Sequence, residues 1–246
     1  MLTVIAAAAP SLALLIYFYL RDRYEREPVR WLLLAYLLGM FAMLAAQHGA
    51  QSLADAVPAT WQQGHGTLPR LFDAFVLSGL VEEVSKWTIL IAAVYHWREF
   101  DEPFDGLVYG VAIALGFASL ENYLYLTVRG LEIAWLRAVF AVPAHALFGG
   151  TMGFYVGRAK FPRRPRTTFF DHVAALVLPV VFHGSYNFAL ANGLNWHVWV
   201  SITVLSLGLW LFVLGRLKKA QHLSPYRPKT MLPGELRAPD PSSRLR

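Results

Sequence analysis

Seven stretches of this chain are apolar for long enough, or nearly so, to cross a lipid bilayer, and no other feature restricts its fold as strongly. A spanning helix needs roughly 20 apolar residues. Stretches of that kind run over about 2–20, 31–53, 72–97, 104–128, 133–157, 172–191 and 196–215. In hydrocarbon every backbone N–H and C=O must find a partner within the protein, so spans are helices or closed barrels, and runs this long exclude barrel strands. The expected fold class is therefore all-α, a polytopic membrane protein built as a bundle of about seven transmembrane helices. Residues 1–215 are expected to form one membrane-embedded domain. Residues 216–246, rich in Pro, Ser and Arg without apolar periodicity, are expected to form a basic, disordered tail.

Composition supports this and removes other classes. Only 15 % of the residues are charged and 56 % are hydrophobic, against about a quarter and about half in soluble domains. A soluble enzyme, a disordered chain and a coiled coil are excluded. With no cysteine present, disulfides and thiolate chemistry are excluded too. The first stretch is followed, not preceded, by its charges (Arg21, Asp22, Arg23, Glu25, Arg26), so it reads as an uncleaved helix and not a signal peptide.

The net charge of +6 comes from loops and the tail, and it reads as membrane orientation, not nucleic-acid binding. Alternate connections and the tail carry eighteen Lys and Arg, and the opposite side carries three: Arg70, Arg129 and Arg137. The positive-inside rule then places the N-terminus outside and the C-terminus in the cytoplasm of a cell membrane. The basic tail would lie against anionic lipid.

Ionisable groups inside spans are costly and by default functional. They are Glu82, Glu83 and Lys86 in the third stretch, Glu121 in the fourth, His145 in the fifth and His183 in the sixth. Counted from the outer ends at about 1.5 Å per residue, Glu82 lies roughly 15 Å deep, Glu121 roughly 10 Å, His145 roughly 18 Å and His183 roughly 12 Å. Four groups on four antiparallel helices thus share one layer.

Local spacing adds detail. Lys86 follows Glu82 by four residues and Glu83 by three, so it can neutralise either, leaving the other for chemistry. His183 and Asn187 are one turn apart on one face, and Asn187 can orient the imidazole or a substrate carbonyl. Pro143 and Pro179 free the carbonyls of Val139 and Ala175 just before the two histidines. Plainer readings exist for each element. A Glu-Glu-x-x-Lys turn can be a buried ion pair between helices, and a membrane histidine can serve as an interhelical hydrogen-bond donor. The small-residue runs Gly106, Gly110, Ala114 and Gly149, Gly153, Gly157 read as close helix packing. His48, His65, His96, His172, His197 and His222 lie at span ends, in a loop or in the tail.

Buried carboxylates with two imidazoles suit hydrolysis. A glutamate in a dry pocket can take a proton from water and return it to a leaving amine. A histidine or Asn187 can stabilise the oxyanion. Alternatively Glu121, His145 and His183 could hold Zn²⁺ with Glu82 as base, since two His and one Glu form a recurrent catalytic zinc set. His-Glu-x-x-His and Gly-x-Ser-x-Gly sequences are absent, which excludes a zinc site on a single helix and a nucleophile elbow. A proton-coupled transporter or channel is the alternative from a different class, because buried carboxylates and histidines also build proton relays. The absence of repeated halves counts against it.

These residues carry a family resemblance. Glu82-Glu83-Val84-Ser85-Lys86 resembles the E-E-x-x-K motif of the PrsW family of intramembrane proteases, and Phe117 to Asn122 is similar to its F-x-x-x-E-N motif. His145-Ala146-Leu147-Phe148 and His183-Gly184-Ser185-Tyr186-Asn187 resemble its two histidine motifs, in the same order. The likeness covers roughly residues 10–190. It implies an intramembrane endopeptidase that cuts membrane-anchored protein substrates near the outer face, in the manner of site-1 cleavage of an anti-sigma factor. It implies catalytic roles for Glu82, Glu83, Glu121, His145, His183 and Asn187, of glutamic or metal-dependent type. Prenyl-protein endopeptidases are distantly similar but carry a histidine where this chain has Glu121. By analogy with them, Glu82 is the base and Glu83 the partner of Lys86. The substrate's identity, the cleavage site and the oligomeric state are not legible in the sequence.

Overall fold

A computed structural model describes residues 1–58, 66–162, 167–193 and 195–228. His65, Arg163, Arg164, Arg166 and the chain beyond 228 lie outside the described residues. The described chain is helical, without strands, and contains seven helices. They are α1 (Leu2–Leu20), α2 (Val29–Asp55), α3 (67–92), α4 (Pro103–Arg129), α5 (Leu131–Lys160), α6 (Thr167–Leu190) and α7 (Trp196–Leu223). Six of them are long and apolar enough to cross a membrane, so the protein is a membrane protein.

The exception is α3, whose charges Asp73, Glu82, Glu83 and Lys86 lower its apolarity. It nevertheless runs the height of the bundle. Near its start Arg70 donates to Oδ1 of Asn192, beyond the C-terminus of α6. Just past its other end the carbonyls of Tyr95 and Phe100 accept from Lys160, the last residue of α5. The last helix also differs from expectation. It continues to Leu223, two turns past the expected end of the span at 215.

Helix α4 is the centre. Its apolar window is 94 % buried inside the protein, against 22 % for those of α1 and α7. A helix apolar on every side must be enclosed, and glycines let its neighbours close on it. A Cβ at Gly106 would stand 2.4 Å from the carbonyl oxygen of Gly153, and one at Gly110 2.4 Å from that of Gly149. On the opposite side, Gly39 of α2 meets the backbone of Ile113 and Gly116 meets that of Tyr36. The small-residue runs are thus packing seams, as backbone contact of this closeness admits no side chain. A third seam joins α3 to α6: Gly79 faces the carbonyl of Val180, and Gly184 lies under the ring of Phe75. This seam brings the acidic turn of α3 against His183.

Two helices change winding next to the residues of interest. Asp73–Leu80 is π-helical immediately before Glu82, and Arg137–Ala141 is π-helical immediately before Pro143 and His145. Pro143 cannot donate to the carbonyl of Val139, which accounts for the loosened turn there. Pro179 sits within α6 without ending it. The end of the bundle away from these segments carries acids of its own: burial pushes the carboxyl of Asp22 up to about 6 and those of Glu27 and Glu102 up to about 7.

Candidate active site

Glu82, Glu83, Glu121, His145 and His183, from four helices, converge on Lys86 in a single network. Lys86 and Glu83 are 1 % and 0 % exposed, and the ammonium lies 2.7 Å from Oε1 of Glu83. It also lies 3.6 Å from Oε2 of Glu82 and donates to Nδ1 of His145 at 3.1 Å. The face of Phe117 sits 4.1 Å from the same ammonium, a cation–π contact that offsets part of its desolvation. One lysine therefore balances the two glutamates of its own helix and touches a histidine from α5.

The hydrogen bonds assign the imidazole tautomers. An ammonium only donates, so Nδ1 of His145 accepts and its Nε2–H points to Oε2 of Glu121, 3.1 Å away. An ionised carboxylate only accepts, so Nδ1–H of His183 donates to Oε1 of Glu83 at 2.9 Å. That leaves Nε2 of His183 directed toward Glu82, 3.8 Å from its Oε2. Phe148, one turn after His145 by its three-residue spacing, stacks on His183 with ring centres 5.0 Å apart. The two histidine motifs are thus linked by an aromatic contact.

Glu121 is engaged twice. Besides His145 it accepts from Arg137 at 2.5 Å, and Arg137 also donates to Oδ1 of the adjacent Asn122. Arg137 lies over the ring of Tyr125 at 4.1 Å. The sequence reading counted Arg137 only as a loop charge and so missed it. Its position eight residues before His145, a little over two turns on the same helix, was the available signal. Lys86 as a partner of His145 was missed as well, because the contact spans 59 residues of sequence.

Two cavities meet at the network. One, of about 250 Å³, is lined by Glu82, Glu121, Arg137, His145, His183 and Asn187, with Tyr186 and apolar residues of α5–α7. The other, of about 390 Å³, opens between α2, α3 and α4 and is also lined by Glu82 and Glu121. Asn187 reaches the first cavity only. Glu82 and Glu121 form the wall that both share, together with Tyr125. Oε2 of Glu82 and Oε2 of Glu83 are both buried without a hydrogen-bond partner, but Glu83 borders neither cavity and binds Lys86 and His183 through its Oε1.

A metal ion can be tested against these donors. Among the described residues, the set at this site whose ligand atoms lie within 4.8 Å of one another is Glu82, Glu121 and His145. It contains Glu82 where the sequence reading placed His183. The reason is local: Nδ1 of His183 is occupied by Glu83, and its free Nε2 faces Glu82. Two carboxylates and one imidazole suit a first-row divalent ion with an open position; to ligate it, Nε2 of His145 would give up its proton, and Nδ1 would carry one in place of accepting from Lys86.

A helical membrane bundle with two cavities at a buried Glu–His–Lys network has the groups that either intramembrane hydrolysis or a proton relay requires. Comparison with known proteins narrows the choice. Residues 27–214 match the model of the PrsW family of intramembrane metalloproteases. Protease PrsW of Bacillus subtilis (strain 168) is 40 % identical over 223 residues, covering 89 % of this chain and 95 % of that protein. Protease PrsW of Geobacillus kaustophilus (strain HTA426) is 38 % identical over 228 residues, 93 % of this chain and 95 % of that one. For Protease PrsW of Clostridioides difficile (strain 630) the identity is 31 % over 222 residues, 89 % and 91 % of the two chains. The chain belongs to the PrsW family and is a membrane protease. The likeness extends into α7, beyond the stretch ending near 190 that the motifs alone marked. No solved structure matches.

Proposed function

We propose that the chain is an endopeptidase that cleaves membrane-anchored proteins within or just outside their membrane anchors, with Glu82 acting on the attacking water. The observation that carries this reading is the contrast within the acidic pair. Each keeps a buried Oε2 without a hydrogen-bond partner, but Glu82 lines both cavities, while Glu83 lines neither and holds Lys86 and His183 through Oε1. A carboxylate bordering space for water is placed to take a proton, whereas one shut away from that space, with one oxygen bonded twice, positions its neighbours.

In this reading Glu82 takes the water proton as the water oxygen attacks the scissile carbonyl carbon, and then returns that proton to the departing amine. The amide of Asn187 and the guanidinium of Arg137 line the same cavity and supply donors and positive charge for the oxyanion. Glu83 fixes the ring of His183 so that Nε2 faces Glu82. Glu121 orients His145 and balances Arg137. When a metal is bound, Glu82, Glu121 and His145 would hold it, Glu82 through one carboxylate oxygen with the other left to take the water proton, and it would supply Lewis acidity for activating water or the carbonyl.

The charge distribution favours an N-terminus outside and a cytoplasmic C-terminus, so the site would open toward the outer side of a cell membrane. The substrate would be a single-pass protein such as an anti-sigma factor, cut at a first site. The test compares new protein termini in membranes of the native host carrying wild type, Glu82→Gln or His183→Ala, matched in amount and thermal stability. Termini present only with wild type, at or near single-pass anchors, are the expected result. Equal termini in all three would overturn the reading.

A further inference from the structure

At the end of the bundle opposite Glu82, a second group of buried acids takes no part in the hydrolytic site. Asp22 and Glu27 come from the α1–α2 turn, Glu102 precedes α4, and Asp105 lies in its first turn. All four are 2 % exposed or less. Asp105 is sixteen residues from Glu121 on the same helix, about 24 Å at 1.5 Å per residue, so the two sites are separate.

One carboxylate oxygen from each of Asp22, Glu102 and Asp105 lies within 4.8 Å of the others. The remaining oxygens are only partly used. Oδ2 of Asp105 accepts from the amides of Asp101 and Glu102 at 2.9 and 2.7 Å, but its Oδ1 is buried without a hydrogen-bond partner. Oδ2 of Asp22 and Oε1 of Glu27 are likewise unpartnered, although Oε2 of Glu27 accepts from Tyr109. Among the described residues, no Lys, Arg or His forms an ion pair with any of these four acids. Lys160, at this end, donates instead to the carbonyls of Tyr95 and Phe100. Arg26 and Lys160 act on Asp22 and Asp105 only at longer range; buried carboxylates without an ion-pair partner are expensive, and here several converge.

We propose that Asp22, Glu102 and Asp105 form a binding site for a hard divalent cation of the Ca²⁺ or Mg²⁺ kind. The donors are all oxygen, which selects such ions over softer ones. The cation would fasten the α1–α2 turn to the start of α4. The end of α7 already lies over both: Gln221 donates to the carbonyl of Arg21, and the hydroxyl of Tyr226 donates to Asp101. A bound ion would therefore clamp the first, fourth and last helices together at the end remote from the chemistry.

The test uses the full chain in detergent micelles, freed of metal with a chelator, and Tb³⁺ as the luminescent probe. Tyr109 touches Glu27 through its hydroxyl and packs edge-on against Trp97, with ring centres 5.3 Å apart, so bound Tb³⁺ would be sensitised through these rings. Expected is saturable emission that Ca²⁺ or Mg²⁺ displaces, together with a cation-dependent rise in the wild-type melting temperature. Asp105→Asn should bind at least tenfold more weakly, while Gly208→Ala, at a position with no atom within 4 Å of an added Cβ, should bind as wild type does. Should Asp105→Asn fail to fold, Glu102→Gln and the wild-type melting shift decide. Absence of saturable emission and of any melting shift would overturn the proposal, leaving the acids to share protons. Undiminished binding by the foldable variants of the cluster would overturn it equally.

Discussion

The ammonium of Lys86 lies 3.1 Å from Nδ1 of His145, so a cation on α3 dictates which nitrogen of a histidine on α5 carries the proton. Nε2–H is thereby turned to Glu121. The same ammonium holds Glu83 at 2.7 Å. Removing one member of a buried ion pair strands the other, at a cost of about 3–5 kcal/mol. Lys86→Met should destabilise the protein by about that amount and abolish cleavage. Adding Glu83→Gln to Lys86→Met should recover part of the stability and none of the activity, since one of the two stranded charges is gone but the histidines remain unoriented. Unfolding equilibria in mixed micelles, paired with a cleavage assay, check both.

The donor distances predict which residues retain a metal ion. With Glu82, Glu121 and His145 as ligands, Glu82→Gln, Glu121→Gln and His145→Ala should each lower the divalent-ion content of the purified protein at least tenfold. His183→Ala should keep the ion and lose cleavage, because its Nδ1 serves Glu83. Elemental analysis of the four variants, each verified as folded, separates the outcomes. Loss of the ion from His183→Ala to the same degree would point back to the ligand set drawn from the sequence.

Much of this architecture was legible because membrane insertion imposes coarse, one-dimensional rules. Apolar length marked the helices, and the charges that interrupt it marked Glu82, Glu83, Glu121, His145 and His183, all of which the fold brings into one network. Depth counted along each helix was enough to suggest that they share a layer. Azimuth was not legible. Whether Lys86 faces only its own glutamates or also His145 depends on how α3, α4 and α5 are rotated, and that is set by glycine contacts such as Gly79 with Val180. Arg137 was hidden for a related reason: it lies near a helix end, where a basic residue ordinarily reads as topology. The acids at the other end were hidden because Asp22, Glu102 and Asp105 come from two turns some 80 residues apart.

Arg137 should prove as sensitive as the motif residues. It donates to both Glu121 and Asn122 and stacks on Tyr125, a combination suited to a planar guanidinium. Arg137→Lys keeps the charge but loses the fork, and a reduction in turnover of roughly tenfold is expected, about 1.4 kcal/mol. Arg137→Met leaves Glu121 without its cation, and a loss exceeding a hundredfold is expected, about 2.7 kcal/mol or more. If Arg137 only stabilised the fold, the loss of turnover would follow the melting temperature across the series. Turnover measured below the melting point of every variant distinguishes these cases.

The centre of the bundle should tolerate no added carbon. A Cβ at Gly116 would stand 1.8 Å from the carbonyl oxygen of Tyr36, a backbone atom that cannot swing aside. Gly116→Ala must therefore push α2 away from α4, and it should disturb the hydrogen bond between the Tyr36 hydroxyl and Ser119. Overpacking of this kind costs about 1–3 kcal/mol, and more where backbone must move. Gly153→Ala, with 1.9 Å to the carbonyl oxygen of Gly106, should act similarly on the α4–α5 seam. Gly208→Ala on α7 meets no atom within 4 Å and should be neutral or slightly stabilising, as alanine is the better helix former. Melting temperatures of the three variants measure the contrast. Equal behaviour of Gly116→Ala and Gly208→Ala would mean that α2 and α4 leave room for a methyl group at Gly116.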